Sequence, residues 1–140
     1  MTGRRAGGRG RRDERGSAVV DFVLVMLVLV PLVVAIMQVA LVLYVRNTVA
    51  LAASEGARHA AAWGATPQAG LARAQHQWSG AVSSRFVTDT RIETVEFAGA
   101  PAYRIVVEVD VPALGLGGPG IGFEVSGSAV IEPDPRGVPS

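Results

Sequence analysis

The sequence predicts an α+β chain in which a long N-terminal transmembrane helix continues as a stalk, followed by a second amphipathic helix packed on a small antiparallel sheet of about three strands. Three patterns carry this. Phe22 to Val45 contains no charged residue; Leu71, Ala74, Trp78, Ala81 and Val82 mark one apolar helical face; and the last third of the chain alternates with a period of two.

The apolar run holds about 24 residues and as a helix reaches ~36 Å, more than a ~30 Å hydrocarbon core, so it spans a bilayer with some tilt. Its interruptions, Pro31, Gln38 and Tyr44, are mild. Proline is tolerated in membrane helices and predicts a kink rather than an end, and Tyr44 suits the far interface. Six arginines, Arg4, Arg5, Arg9, Arg11, Arg12 and Arg15, precede the run against Asp13 and Glu14. By the positive-inside rule the amino terminus is expected in the cytoplasm and the residues after Arg46 outside.

The remainder, from about Arg46 to Ser140, is expected to form one small domain. Its nine acids against seven arginines make it mildly acidic, which argues against nucleic acid as a partner. Beside a span, the arginine-rich leader reads as a topology signal rather than a nucleic-acid tail. The chain has no cysteine, which excludes disulfides and thiol chemistry.

From Asn47 to Gly64 the sequence is rich in alanine and free of proline, so the helix is expected to leave the membrane as a stalk. Val49, Ala53, Gly56 and Ala60 form a small-residue face that permits close approach, either to the stalk's own domain or to another subunit. Thr66 and Pro67 read as cap and first residue of the second helix, ending near Arg85 to Thr88. Trp78, at core spacing, is an anchor. A weaker strand is expected around Arg91 to Phe97, with a turn at Gly99-Ala100-Pro101 leading to the next. In the two clearer strands Tyr103, Ile105, Val107, Val109 and Val111 share one face, as do Phe123, Val125, Gly127, Ala129 and Ile131. One sheet face is expected in water and the other under the second helix. The segments are therefore 1–16 basic leader, 17–45 transmembrane helix, 46–88 stalk and second helix, 89–132 strands, and 133–140 flexible tail.

No catalytic residues, cofactor site or metal site are expected. His59 and His76 lack partners at metal spacing. Glu93 with Glu96, and Glu108 with Asp110, lie on strands as solvated charges rather than acid–base pairs. The glycines from Gly115 to Gly122 resemble a phosphate cradle, but Pro119 interrupts them and no P-loop lysine comes after them. The loop reads as a connector whose Leu114, Leu116 and Ile121 touch a partner or the membrane.

Three stretches together resemble a known family: Arg15-Gly16-Ser17-Ala18-Val19-Val20-Asp21-Phe22, Tyr44-Val45-Arg46-Asn47 and Glu55-Gly56-Ala57-Arg58. They are similar to the motifs of TadE-like proteins, minor pilin-like components of tight-adherence pilus assembly, over about Arg15 to Ala62. Two departures are visible: Asp21 stands where the family usually has glutamate, and Pro31 lies deeper than the family's proline. The resemblance implies cleavage by a prepilin peptidase between Gly16 and Ser17. It further implies assembly through Asp21 and Phe22 with other pilin-like subunits and tight-adherence proteins at the cytoplasmic (inner) membrane. Asp21 would then lie one turn from the new Ser17 amine and pair with a neighbour's amine, or else cap its own helix. The rival readings are a generic membrane-anchored binding protein and a secreted enzyme released by signal peptidase after Ala50-Leu51-Ala52. The latter conflicts with an apolar run longer than the ~7–15 residues of a signal-peptide core.

Overall fold

The computed structural model describes residues 10–114 and 119–133. The first nine residues of the leader, residues 115–118 of the glycine-rich loop with Leu116, and the tail from 134 lie outside them. The elements are α1 (Gly10–Ala61), α2 (Pro67–Ser79), a 3-10 turn (Ser84–Phe86), β1 (Val87–Phe97), β2 (Ala100–Val111) and β3 (Ile121–Val130). This is the α+β architecture the patterns predict: one long apolar helix, a second helix and three antiparallel strands in the order β1-β2-β3.

The chain divides into two compact units, Met1–Met37 and Gln38–Ser140. In the first unit α1 runs through Pro31 without ending. Most of its apolar side chains stand open, Leu27 and Val28 at 69 % exposure, with Met26 and Val34 half-buried. By length and composition the helix qualifies as a candidate membrane span, with a mean hydropathy of 3.0 in its best window.

In the second unit the same helix becomes the centre of a core. Val45, Val49, Ala52, Ala53 and Ala57 are buried together with Ala74 and Trp78 of α2 and with Ile105, Val107, Val109 and Val111 of β2. The face Val49, Ala53, Gly56 and Ala60, for which two partners were open, is therefore covered by the chain's own domain. Lengths match: Gln38 to Ala61 rises ~35 Å as helix, and the twelve residues of β2 cover ~40 Å. The stalk is tied to the sheet at both ends. At one, the Gln38 amide donates to Pro112 O (3.3 Å) and accepts from the Leu114 N–H (2.8 Å). At the other, Glu132 N, just past β3, donates to Ala61 O at 2.9 Å.

The stalk thus covers β2 and β3, and α2 reaches the sheet at β1. The helix expected over the sheet shares that role because alanines and glycines let the stalk lie closer. A Cβ added at Gly56 would stand 2.6 Å from Ala74 Cβ, 2.7 Å from Gly70 O and 2.9 Å from Ile105 Cδ1. At Gly70 it would run into Ala60 and the Gly56 carbonyl. Two glycines facing each other bring the backbones of α1 and α2 nearly into contact.

Thr66 caps α2 as expected, its Oγ1 accepting from Ala69 N at 3.2 Å, and Pro67 occupies the first turn. The helix ends at Ser79, however, short of the expected Arg85. Ser79 Oγ turns back onto His76 O and the cap residue is Gly80, a poor helix former. Ala81 is consequently exposed, while Val82 reaches the core through the turn after it. The strand expected from Arg91 begins earlier, at Val87. The hairpin turn is Ala98-Gly99, with φ of 53° and 80°, while Ala100 and Pro101 already pair with Phe97 and Glu96. Two successive positive φ values suit the right-handed twist of the flanking strands.

Two residues of β2 break the predicted alternation of buried and wet faces: Ala102, fully buried on the polar face, and Val106. Val106 points to the polar face yet is 2 % exposed. Its neighbour on β1 is Arg91, whose guanidinium bonds Glu93 (2.9 Å) and Asp89 (3.3 Å) on its own strand, Glu108 (2.7 Å) on β2 and Glu124 (3.0 Å) on β3. To reach β3 the side chain must cross β2 at Val106, so its stem covers the valine. The four carboxylates, Glu108 foremost, raise the arginine pKa further above its already high ordinary value.

Candidate functional site

The candidate site is the first described stretch of α1, and its residues are positioned by helical periodicity alone. Gly16, Ser17, Asp21 and Phe22 are all exposed. Ser17 and Asp21 are four residues apart and share a face, one turn from each other. Gly16 has open space around it: an added Cβ would meet nothing within 4 Å, so its smallness serves no packing in this fold. Phe22 is 62 % exposed. Among the described residues no side chain pairs with Asp21, and the buried core begins only at Val45, far along the helix.

The other motif stretches lie in the second unit and have structural roles there. The Tyr44 hydroxyl donates to Ala81 O at 3.3 Å, holding the turn after α2. In Glu55-Gly56-Ala57-Arg58, Gly56 is the crossing point of the two helices and Ala57 is fully buried. Glu55 accepts from Arg73 of α2 at 3.3 Å. Hydrogen bonds from Gln77 and then from Arg73 hold its carboxyl below the ordinary range, and Arg58 adds a weaker attraction. The acid and glycine of this motif therefore join stalk to second helix.

This junction makes stability depend on pH. Because the folded carboxyl is more acidic than the unfolded one, its contribution is fully present above the unfolded pKa, ~4.3, and is lost as pH falls through the folded value. Glu55→Gln should be less stable than the parent at pH 7, by an amount small enough to suit an exposed ion pair. The two melting curves should converge towards pH 3, and a difference that persists or grows there would contradict this role.

Two residues that matter here are hard to see in the sequence. Gln38 looks like a minor interruption of an apolar run, yet its amide brackets the chain leaving β2; the clue is that it is the only amide side chain between Phe22 and Val45. Gly127 sits inside β3, where glycine marks close backbone approach. It faces the backbone of Ala53 and Ser54. His59 and His76 are both exposed, and among the described residues no group of three His, Asp or Glu side chains has the geometry of a metal site.

No curated protein and no solved structure matches the chain. One family model does, that of TadE-like protein, over residues 16–58. The match begins at Gly16 and ends at Arg58, so it takes in the exposed helix and the stalk and stops before α2 and the sheet. The matched stretch, residues 16–58, is the one whose motifs resemble that family.

Proposed function

We propose that this chain is a single-pass, pilin-like component of tight-adherence pilus assembly or a related secretion apparatus, and that it assembles through its amino-terminal helix. The observation that carries this is the TadE-like match over a helix whose apolar window has no buried residue. In this reading the amino terminus is cytoplasmic and the α+β domain lies outside the inner membrane. A prepilin peptidase cuts between Gly16 and Ser17, and Asp21 and Phe22 then meet neighbouring subunits. No catalytic role is proposed for the chain.

The core supports an uncut stalk. Release by signal peptidase after Ala52 would strip Gln38, Val45, Val49 and Ala52 from the domain, and all of these are buried in it or hydrogen-bonded to it. The domain is thus built to remain attached to its membrane helix.

Gly16→Leu tests the processing step. Since an added side chain at Gly16 meets no neighbour, the variant should insert and fold normally while a peptidase pocket shaped for glycine rejects it. Protein from native membranes should start at Ser17 in the parent and at Met1 in the variant, read by amino-terminal sequencing. If both retain Met1, the chain is a plain anchor and the pilin-like reading fails.

A further inference from the structure

The apolar run ends at Val45, but the domain begins at Gln38, and this difference fixes where the membrane surface crosses α1. We infer that the bilayer's edge on the domain's side lies at about Gln38, with the end of the domain formed by Pro112, Leu114 and Ile121 seated in the headgroup layer of that leaflet. The inference rests on α1 spanning the membrane, as proposed above.

Gln38 is bonded to the backbone of Pro112 and Leu114, so that loop lies at the same level along the helix. Ile121 is opposite Val111 at the same end of the sheet. Were the hydrocarbon to continue to Arg46, eight residues further, the backbone of Pro112 to Leu114 would be drawn ~12 Å into lipid, where unpaired peptide groups cost several kcal/mol each. Ending the hydrocarbon at Gln38 avoids that.

The side chains at this level have interfacial chemistry. Leu114 and Ile121 are apolar and 38 % and 44 % exposed, large enough to bury in the outer part of a leaflet, while the peptide groups beside them favour the hydrated headgroup layer over hydrocarbon. Arg85, Asp110 and Thr88 line a shallow cleft beside Pro112 and Gly120 at the same end, offering a cation, an anion and a hydroxyl to zwitterionic headgroups. On the uncovered side of α1, Val39 and Leu43 are 59 % and 51 % exposed. They lie ~1.5 and ~7.5 Å beyond Gln38, within a headgroup layer of ~5–8 Å.

The same ruler sets the other edge. Thirty ångströms of hydrocarbon counted back from Gln38 is about 20 residues and ends near Ala18. Asp21, 17 residues before Gln38, then lies ~25 Å from that surface and a few ångströms inside the opposite one. With the edge at Arg46, Asp21 would instead stand clear of the hydrocarbon.

Because the chain has no cysteine, single cysteines report without background. The full-length chain should be made as Leu114→Cys, Ile121→Cys, Val39→Cys and, at the far end of the sheet, Glu96→Cys, all exposed positions. Each is labelled with a polarity-sensitive fluorophore and placed one copy per nanodisc of phosphatidylcholine and phosphatidylglycerol. Labels at positions 114, 121 and 39 should emit to the blue and be quenched most by nitroxides near the lipid headgroup, with the label at 96 unaffected. A water-like, unquenched label at 114 and 121 would overturn the inference. So would shielding that occurs only with several copies per disc, which would mark a contact between chains. A label at 39 quenched best by mid-chain nitroxides would move the edge to Arg46 and overturn it too. Resistance of the same protein to carbonate extraction reports insertion by itself, so failure of the span is distinguished from failure of this register.

Discussion

Asp21→Lys is expected to abolish assembly while leaving the protein made, inserted and folded. Asp21 is exposed on a helix segment outside the buried core, so substitution there removes no contact among the described residues. In the proposed assembly the carboxylate meets the Ser17 amine of a neighbouring subunit near the positive end of the helix. An uncompensated carboxylate costs ~2.5–3.5 kcal/mol at the bilayer centre and less near its edge, so pairing is worth up to about that much per subunit. Lysine reverses the sign, placing like charges where opposite ones met. Alanine only removes the attraction, and co-purification with other pilin-like subunits and the number of pili per cell should fall less far than with lysine. Glutamate, the residue the family usually carries here, should assemble normally. Asparagine separates the two roles considered for this residue: a good helix cap, it would restore assembly if Asp21 served only its own helix, and should fail if charge pairing is required. Equal piliation in the alanine, asparagine and lysine variants would remove Asp21 from the mechanism.

The second large effect concerns the domain itself. Gly127→Val should unfold it or nearly so. In the row Ile92, Ile105, Gly127 across the inner sheet face, the absent third side chain leaves the gap into which the stalk descends. A Cβ there would run into Ser54 and stand 2.5 Å from the carbonyl carbon of Ala53. Those are backbone atoms of a helix and cannot rotate aside, so the cost should meet or exceed the upper end of ordinary overpacking, ~3 kcal/mol. For a domain of this size that is a loss of ~12–24 °C in melting temperature. Gly122→Ala on the same strand provides the control, since its Cβ would lie no closer than 3.9 Å to Val109 O and should change stability by less than ~0.5 kcal/mol. Thermal unfolding of the full chain in micelles, followed by circular dichroism and by emission of the buried Trp78, measures both. A parental melting temperature for Gly127→Val would mean that the stalk does not rest on β3.

Much of this protein was legible in the order of its residues because the relevant signals are local. The uncharged run from Phe22 specifies a helix fit for lipid, Thr66-Pro67 specifies the start of α2, and the alternation from Tyr103 to Val111 separates a buried face from a wet one. Each depends on neighbours within a few positions, and each holds in the structure. The end of α2 was less legible: apolar spacing continued through Ala81 and Val82, while the backbone stopped at Ser79 for a serine and a glycine. The turn begins one residue earlier than expected and shares only Gly99 with the expected one, because Ala98, not a typical residue for positive φ, takes φ of 53° while Ala100 and Pro101 already pair in the sheet.

What the sequence by itself determined is the order of elements, their faces and the similarity of residues 16–58 to TadE-like protein. Tertiary structure alone decided which element covers the sheet, and where along α1 the open apolar helix gives way to the packed domain. The physical reason is that hydropathy records how much a residue avoids water, not what shields it. Val45 and Val25 are both valines in one apolar run, yet the first is 1 % and the second 57 % exposed. Only the return of β2, β3 and Gln38's bonds to Pro112 and Leu114 separates them, and those contacts join residues 74 and 76 positions apart.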